Sequence, residues 1–224
     1  MLRALEENLW VAEQQQRFMG LEVGSRMTVI RLADGGLWVH SPLRISPEVR
    51  AAVEALGPVR FLVAPNLYHH LSIGDWMAAC PQARSYAAPG LPEKRKDLRF
   101  HELLSEKVPE PWGGQLDVLP WRGAPAINEV VFFHHASRTL LITDTAHNIG
   151  DEAPAFTRTF FKLAGGYGRL STSFVDRLVN RDRAAARATV DTILKWDIQR
   201  VIPSHGHIVE RDGARAFREA YAWL

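Results

Sequence analysis

The sequence has very little cysteine and no long apolar run. Cys80 is the only cysteine among 224 residues, so no internal disulfide can form, and its apolar setting in "WMAAC" is typical of a small core residue. No stretch approaches the roughly 20 apolar residues that a bilayer-spanning helix needs. The opening segment "MLRALEENLWVAEQQQ" carries acids where a signal peptide would be apolar. We therefore expect a cytoplasmic protein with no membrane partner.

The chain also lacks an excess of charge of either sign. Its 27 Lys and Arg nearly balance 25 Asp and Glu, which leaves a net charge of +2 and gives no argument for nucleic-acid binding. No proline- or serine-rich linker and no short-period repeat is visible. The length suits one large α/β or α+β domain, and we expect a single domain over residues 1–224.

The predicted elements alternate between strands and helices. Ser46 and Pro47 are typical of a helix start, and "VRFLVAP" reads as a strand buried on both faces. "RDRAAARATVDTILKW" predicts a helix with a stripe that includes Val190 and Ile193. The stretch from Asp144 through "FKLAGGYGRLSTS" is expected to be irregular. The order of elements predicts mixed sheets covered by helices.

Three predicted strands end in polar side chains that can bind a metal. These strand ends are "FLVAPNLYHH", "TLLITDTAHN" and "RVIPSHGHI". Sites in layered α/β folds are built at strand ends and in the loops that follow them. Histidine and carboxylate together suit zinc, iron or manganese, so the three ends together predict a site that none of them would indicate alone.

These segments resemble the metallo-β-lactamase superfamily, and the resemblance covers nearly the whole chain. "SRTLLITDTAHN" is similar to the segment that delivers the metal-bridging aspartate, here Asp144, and "DIQRVIPSHGHIV" is similar to the last metal motif, here with His205. "RMTVIRL" and "APNLYHH" resemble a divergent branch known mainly as a domain of unknown function. The resemblance implies an α/β (α+β) fold, the four-layer αββα sandwich of the metallo-β-lactamase type.

The sequence departs from the main metal motif of that superfamily, HxHxDH. Placing His69 on its last histidine puts Asn66 and Tyr68 on ligand positions, and placing His70 there puts Leu67 and His69 on them. Neither register restores the motif.

Two further motifs of the superfamily are also changed. Ser41 and Pro42 stand where an early strand normally ends in aspartate and glycine, and "WRGAPAINE" lacks the histidine of the next motif. The site that is normally built from three histidines is therefore missing.

The residues that remain are His69 or His70, Asp144 and His205. Two histidines and one carboxylate can hold a single metal with open positions, which can activate water for hydrolysis. One hypothesis is thus a single-metal hydrolase of an ester, amide or phosphoester. The alternative is a non-catalytic member that binds a small ligand or a protein partner at the vestigial cleft without metal. Either way, a small-molecule ligand or substrate is expected, with one divalent metal or none as cofactor.

Other polar residues are candidates for lining the same pocket. They are Asn66, Tyr68, His147, Asn148 and His207.

Glu129, at the start of a predicted strand, is open to three interpretations. If buried, it either pairs with Arg138 or holds a backbone turn; if exposed, it is only a strand-end acid.

Overall fold

The computed structural model describes residues 2–224 and divides into two compact units. The first unit comprises the chain up to Gln14 together with Arg26–Ser105, and the second comprises Gln15–Ser25 and Glu106–Leu224. The expectation of a single domain stays a prediction.

The first unit contains a seven-stranded sheet in the order β1-β2-β5-β6-β7-β8-β9. The strands β5 and β6 pair antiparallel, whereas β6, β7, β8 and β9 run parallel. The strands are β1 (Arg3–Glu6), β2 (Leu9–Gln14), β5 (Ser25–Arg31), β6 (Leu37–His40), β7 (Val59–Ala64), β8 (Arg84–Ala87) and β9 (Glu102–Leu103). The helices are α1 (Pro47–Glu54), α2 (Ile73–Ala79) and α3 (Leu91–Lys94).

Helices α1 and α2 are the crossovers that parallel strands require. The Ser46 side chain accepts a hydrogen bond from the amide of Val49 and Pro47 is the first helical residue, which confirms the predicted helix start. In α2, Trp76 is fully buried, and its indole N–H donates to the carbonyl of Leu43 at 2.7 Å. The predicted strand β7 is buried except at Arg60.

The second unit contains a four-stranded sheet in the order β10-β11-β12-β13 and the separate hairpin β3-β4. The strands are β3 (Arg17–Phe18), β4 (Leu21–Glu22), β10 (Leu116–Pro120), β11 (Val130–His134), β12 (Thr139–Leu141) and β13 (Arg200–Ile202). The helices are α4 (Ala155–Leu163), α5 (Phe174–Val179), α6 (Arg183–Ile193) and α7 (Gly213–Ala220), and a short 3-10 helix spans Glu110–Trp112. Strands β10, β11 and β12 are antiparallel neighbours, and β13 pairs parallel to β12.

The core of the second unit lies between this sheet and helices α6 and α7. The predicted helix α6 starts after Asp182, whose side chain accepts from the amide of Ala185, and it buries Val190 and Ile193. The ring of Trp121 packs 4.9 Å from that of Tyr221, centroid to centroid. These contacts fix the positions of the strand ends that carry the polar residues.

The expectation of an irregular stretch from Asp144 to Ser173 was wrong in part, because α4 lies within it; the short helix α5, which begins directly after it at Phe174, was not predicted either. Helix α4 buries Thr157 and Phe161, and Phe161 packs in a small cluster that includes Leu21 and Ile149. The side chain of Ser173 and that of Asp176 form a capping box at the start of α5.

Candidate functional site

Asp144 and His205 emerge at the same edge of the second unit's sheet. Strands β12 and β13 are parallel and pair Leu141 with Ile202, and each polar residue follows three positions later. The carboxyl ends of parallel neighbours meet at one edge, which brings the two side chains together. The Nε2 atom of His205 lies 3.0 Å from Oδ1 of Asp144, and the side chains are only 14% and 22% exposed, respectively.

The hydrogen bond on the other ring nitrogen of His205 determines what Nε2 can do. Nδ1 lies 2.7 Å from the carbonyl oxygen of Gly24, and because a carbonyl only accepts, Nδ1 carries a proton. In the neutral imidazole Nε2 is then an acceptor that faces a carboxylate oxygen, and two acceptors at this distance need a second proton or a cation between them. Metal-binding histidines typically donate their other N–H to a backbone carbonyl in this way. The pair therefore fits a metal ion by its donor chemistry.

Glu129 holds the turn that carries Asp144. Its carboxylate accepts hydrogen bonds from the amides of Thr143 and Asp144, both at 2.7 Å, and from the amide and hydroxyl of Thr145 at 3.0 and 3.1 Å. Burial is the main cause that raises the pKa of this carboxyl, and the charge of Asp144 adds a smaller contribution. The hydrogen bonds from the turn oppose that shift. Of the three interpretations of Glu129, the backbone turn is thus confirmed, and Arg138 instead pairs with Asp197.

His147 is buried beside this pair in the same unit. Its backbone pairs with that of Ser171 in both directions, and its ring packs 4.6 Å from the ring of Phe161. Nδ1 lies 3.5 Å from a carboxylate oxygen of Asp176. Burial lowers the pKa of His147, and the charge of Asp176 works in the opposite direction. The imidazole therefore packs against α4 through Phe161 and faces α5 at Asp176.

Asn148 fixes the loop that carries His205. Its amide donates to the carbonyl of His205 at 3.1 Å, and its side chain donates to the carbonyl of His207 at 3.1 Å. Gly206 lies between them at φ +80°, where a Cβ atom would lie 2.0 Å from the carbonyl oxygen of Asn148. The imidazole of His207 is 58% exposed and pairs with Glu152. Asn148 thus supports the site through the backbone, whereas His207 is a surface residue.

In the first unit, Asn66 shapes the turn that carries the paired histidines. It is fully buried, and its side-chain oxygen accepts from the amides of Tyr68 at 2.8 Å and His69 at 2.6 Å. Asparagine commonly holds a turn in this way. The ring of Tyr68 is half-exposed and lies under the ammonium group of Lys94, 4.7 Å from the ring centroid.

The adjacent histidines His69 and His70 have different surroundings. Nδ1 of His69 lies 2.7 Å from the hydroxyl of Ser41, and the imidazole is partly exposed. His70 is buried, and its Nδ1 accepts from the guanidinium of Arg95 at 3.2 Å. Burial, together with smaller contributions from the charges of Lys94 and Arg95, lowers the pKa of His70 to about 4. A cation is disfavoured in this positive setting, so His70 is the weaker metal-ligand candidate of the two.

Sequence reasoning did not single out His40, which ends β6 next to Ser41. Its ring is buried and stacks on Trp38 with the centroids 5.5 Å apart. Burial, together with a smaller contribution from the charge of His69, lowers the pKa of His40 to about 3. In the sequence, the apolar residues that precede it in "LWVH" were the signal that could have indicated a buried and therefore neutral histidine here.

Comparison with protein families gives one match. The family model described as "Domain of unknown function (DUF4336)" matches residues 6–164. No curated protein matches the sequence.

Solved metallo-β-lactamases match the structure over the whole chain. A metallo-β-lactamase from Pontibacter korlensis is 11% identical, with a TM-score of 0.69 and coverage of 100% of this chain and 99% of that one. One from Erythrobacter litoralis is 14% identical, with a TM-score of 0.69 and coverage of 100% and 96%. FIM-1 from Pseudomonas aeruginosa, in a mono-zinc form, is 12% identical, with a TM-score of 0.67 and coverage of 100% and 95%. The predicted metallo-β-lactamase-type fold is confirmed.

Within residues 2–224, no helix combines the length and the apolar character that crossing a bilayer requires.

Proposed function

Because the chain belongs to the family described as "Domain of unknown function (DUF4336)" and has the metallo-β-lactamase fold, we propose that it is a hydrolase with a reduced, single-metal site. Its substrate would be an ester, amide or phosphoester. The observation that supports this proposal is the contact between Asp144 and His205. These residues follow two parallel strands and present one carboxylate and one imidazole nitrogen to the same point.

The donor set suits a borderline divalent metal such as zinc, iron or manganese. Asp144 would contribute negative charge, and His205 would contribute the Nε2 lone pair, because the Gly24 carbonyl already uses the Nδ1 proton. When bound, the metal would supply Lewis-acid activation of water or of the substrate's carbonyl or phosphoryl oxygen. Asn148 and Gly206 hold the loop, so that the imidazole keeps its orientation.

The hydrogen bonds of Asn66 support one metal rather than two. In one register of the superfamily motif this residue stands on a histidine position, yet its side-chain oxygen is engaged by two backbone amides and is buried. Ser41, at the place of another lost ligand segment, is within hydrogen-bonding distance of His69. These residues stabilise turns, so a second metal would lack its ligands.

We expect untagged protein, purified without added chelator, to contain about one equivalent of metal by plasma mass spectrometry. Replacing both ligands in an Asp144→Ala/His205→Ala variant should remove it, because the carboxylate and the imidazole are both lost. A matched control exists in the same unit: Nε2 of His135 lies 3.0 Å from a carboxylate oxygen of Asp117 on the exposed surface. The Asp117→Ala/His135→Ala variant should keep its metal.

The metal-free alternative makes the opposite prediction. If wild-type protein holds no metal and chelator leaves its melting temperature unchanged, the hydrolase proposal fails. A non-catalytic protein that binds a small ligand or a partner would then be the better account.

The paired histidines give a second prediction. We propose that His69 rather than His70 is the metal-binding member of the pair, because the resemblance assigns one of the two to a metal and His70 lies among positive charges. His69→Gln should lower zinc affinity by at least about 100-fold, more than is typical for an outer-shell partner. His70→Gln is the natural control and should leave zinc affinity within about threefold, which competition with a chromophoric chelator can measure. Equal losses in both variants would contradict the assignment.

A further inference from the structure

We propose that Glu129 is a positioning residue that fixes the carboxylate of Asp144 against His205. This inference rests on the proposed function only in treating Asp144 as a metal ligand. Glu129 itself is 1% exposed and so has no access to a substrate. It would act through the turn Thr143–Thr145.

The contacts of Glu129 converge on three consecutive residues. One carboxylate oxygen accepts from the amide of Thr143 and the hydroxyl of Thr145, and the other accepts from the amides of Asp144 and Thr145. Three successive N–H groups that point at one anion restrict the backbone dihedrals of the residue in the middle. That residue is Asp144. The direction of its side chain is therefore set by the carboxylate of Glu129, which accepts a hydrogen bond from the amide of Asp144.

A second buried group holds the same turn from another element. The hydroxyl of Tyr221, at the end of α7, donates to the carbonyl of Thr145. Thr145 is therefore anchored through its amide, its hydroxyl and its carbonyl, and Tyr221 is 1% exposed. A turn with this many buried anchors has little freedom to rotate Asp144 away from His205.

The chemistry of the contacts explains why a carboxylate stands at position 129. A carboxylate is an acceptor at both oxygens, and the three amides and the Thr145 hydroxyl that are directed at it are all donors. Glutamine has the same shape but would turn an NH₂ group toward at least one of these donors. Glu129→Gln therefore disturbs the turn with almost no change in volume, whereas Glu129→Asp keeps the charge but withdraws it by one methylene.

The test compares wild-type protein with Glu129→Gln in two states. In metal-free protein, Glu129→Gln should speed hydrogen exchange of the amides of Thr143, Asp144 and Thr145 by more than about tenfold. It should also change the ring-nitrogen NMR shifts of His205. With zinc, the same variant should bind about 10–100-fold more weakly. Val190→Ala, which removes buried volume from α6 in the same core, is the control for general destabilisation: it should leave the His205 shifts and the zinc affinity unchanged and should not speed exchange at Thr143–Thr145 more than elsewhere in the core.

The outcomes separate this inference from the proposed function. Unchanged exchange and unchanged His205 shifts overturn the positioning role, whatever the metal content. Faster exchange with unchanged zinc affinity overturns it too, because Glu129 would then be merely structural. If wild-type protein binds no zinc but the exchange and the His205 shifts still respond, the positioning of Asp144 stands and the hydrolase proposal fails. If Glu129→Gln does not fold, the same measurements on Glu129→Asp decide.

Discussion

Glu129→Ala is expected to lower the free energy of unfolding by about 3–5 kcal/mol, the range found when one partner of a buried charged interaction is removed. The carboxylate is buried and accepts hydrogen bonds from three amides and a hydroxyl of the turn Thr143–Thr145. Alanine leaves three amides and a hydroxyl without their acceptor in a site closed to bulk water, and each buried unsatisfied donor costs about 1–3 kcal/mol. Relief of the charge's own burial and of its repulsion with Asp144 offsets part of that cost.

Urea unfolding at pH 7 measures this loss. Glu129→Gln should lie between wild type and Glu129→Ala, since an amide oxygen can still accept from part of the turn. The control is Glu210→Ala, which removes an acid that is 53% exposed and pairs with Arg200, and it should cost less than about 1 kcal/mol. A loss below about 1 kcal/mol for Glu129→Ala would show that the turn does not depend on its carboxylate.

Acid is expected to destabilise the protein through His40. Its pKa falls from the ordinary value of 6.5 to about 3 in the folded protein, because the ring is buried and lies near the charge of His69. Below pH 6.5 the unfolded chain takes up a proton that the folded chain refuses until about pH 3, so stability decreases as the pH falls through this window. Each pH unit removes up to about 1.4 kcal/mol, which gives about 3 kcal/mol at pH 4.

Unfolding free energies at pH 7, 6, 5 and 4 test this expectation. His40→Phe keeps an aromatic ring against Trp38 and cannot be protonated, so its stability should depend less steeply on pH. Part of the slope should remain, because the pKa values of His70 and His147 are lowered too. An identical slope in His40→Phe and wild type would contradict the assignment.

Local patterns in the sequence were enough to predict many of the elements. The cap formed by Ser46 and Pro47, the buried run of β7 and the stripe of α6 are all as expected, because each is governed by residues close together in the chain. The resemblance around Asp144 and His205 also predicted the fold correctly. The contact between these two residues follows from the parallel pairing of two strands that both end in polar turns.

Helices α4 and α5 were not expected, for a physical reason. They have nine and six residues, and helices this short are marginal without tertiary packing. The buried face of α4 is stabilised by contacts with the cluster around Leu21, a residue more than a hundred positions earlier in the chain. The capping box formed by Ser173 and Asp176 was the local sequence signal for α5.

The sequence by itself predicted the metallo-β-lactamase-type fold, and it gave the hypotheses of a lost three-histidine motif and of the candidate ligands, since these depend on residue identity and spacing. Only the tertiary structure decided which roles the polar residues take. The role of Glu129 depends on the turn whose amides donate to its carboxylate, and this turn lies 14 to 16 residues further along the chain. His69 and His70 differ because Arg95 lies against one and Ser41 against the other. Burial and charge at a side chain come from distant segments, and no local pattern reports them.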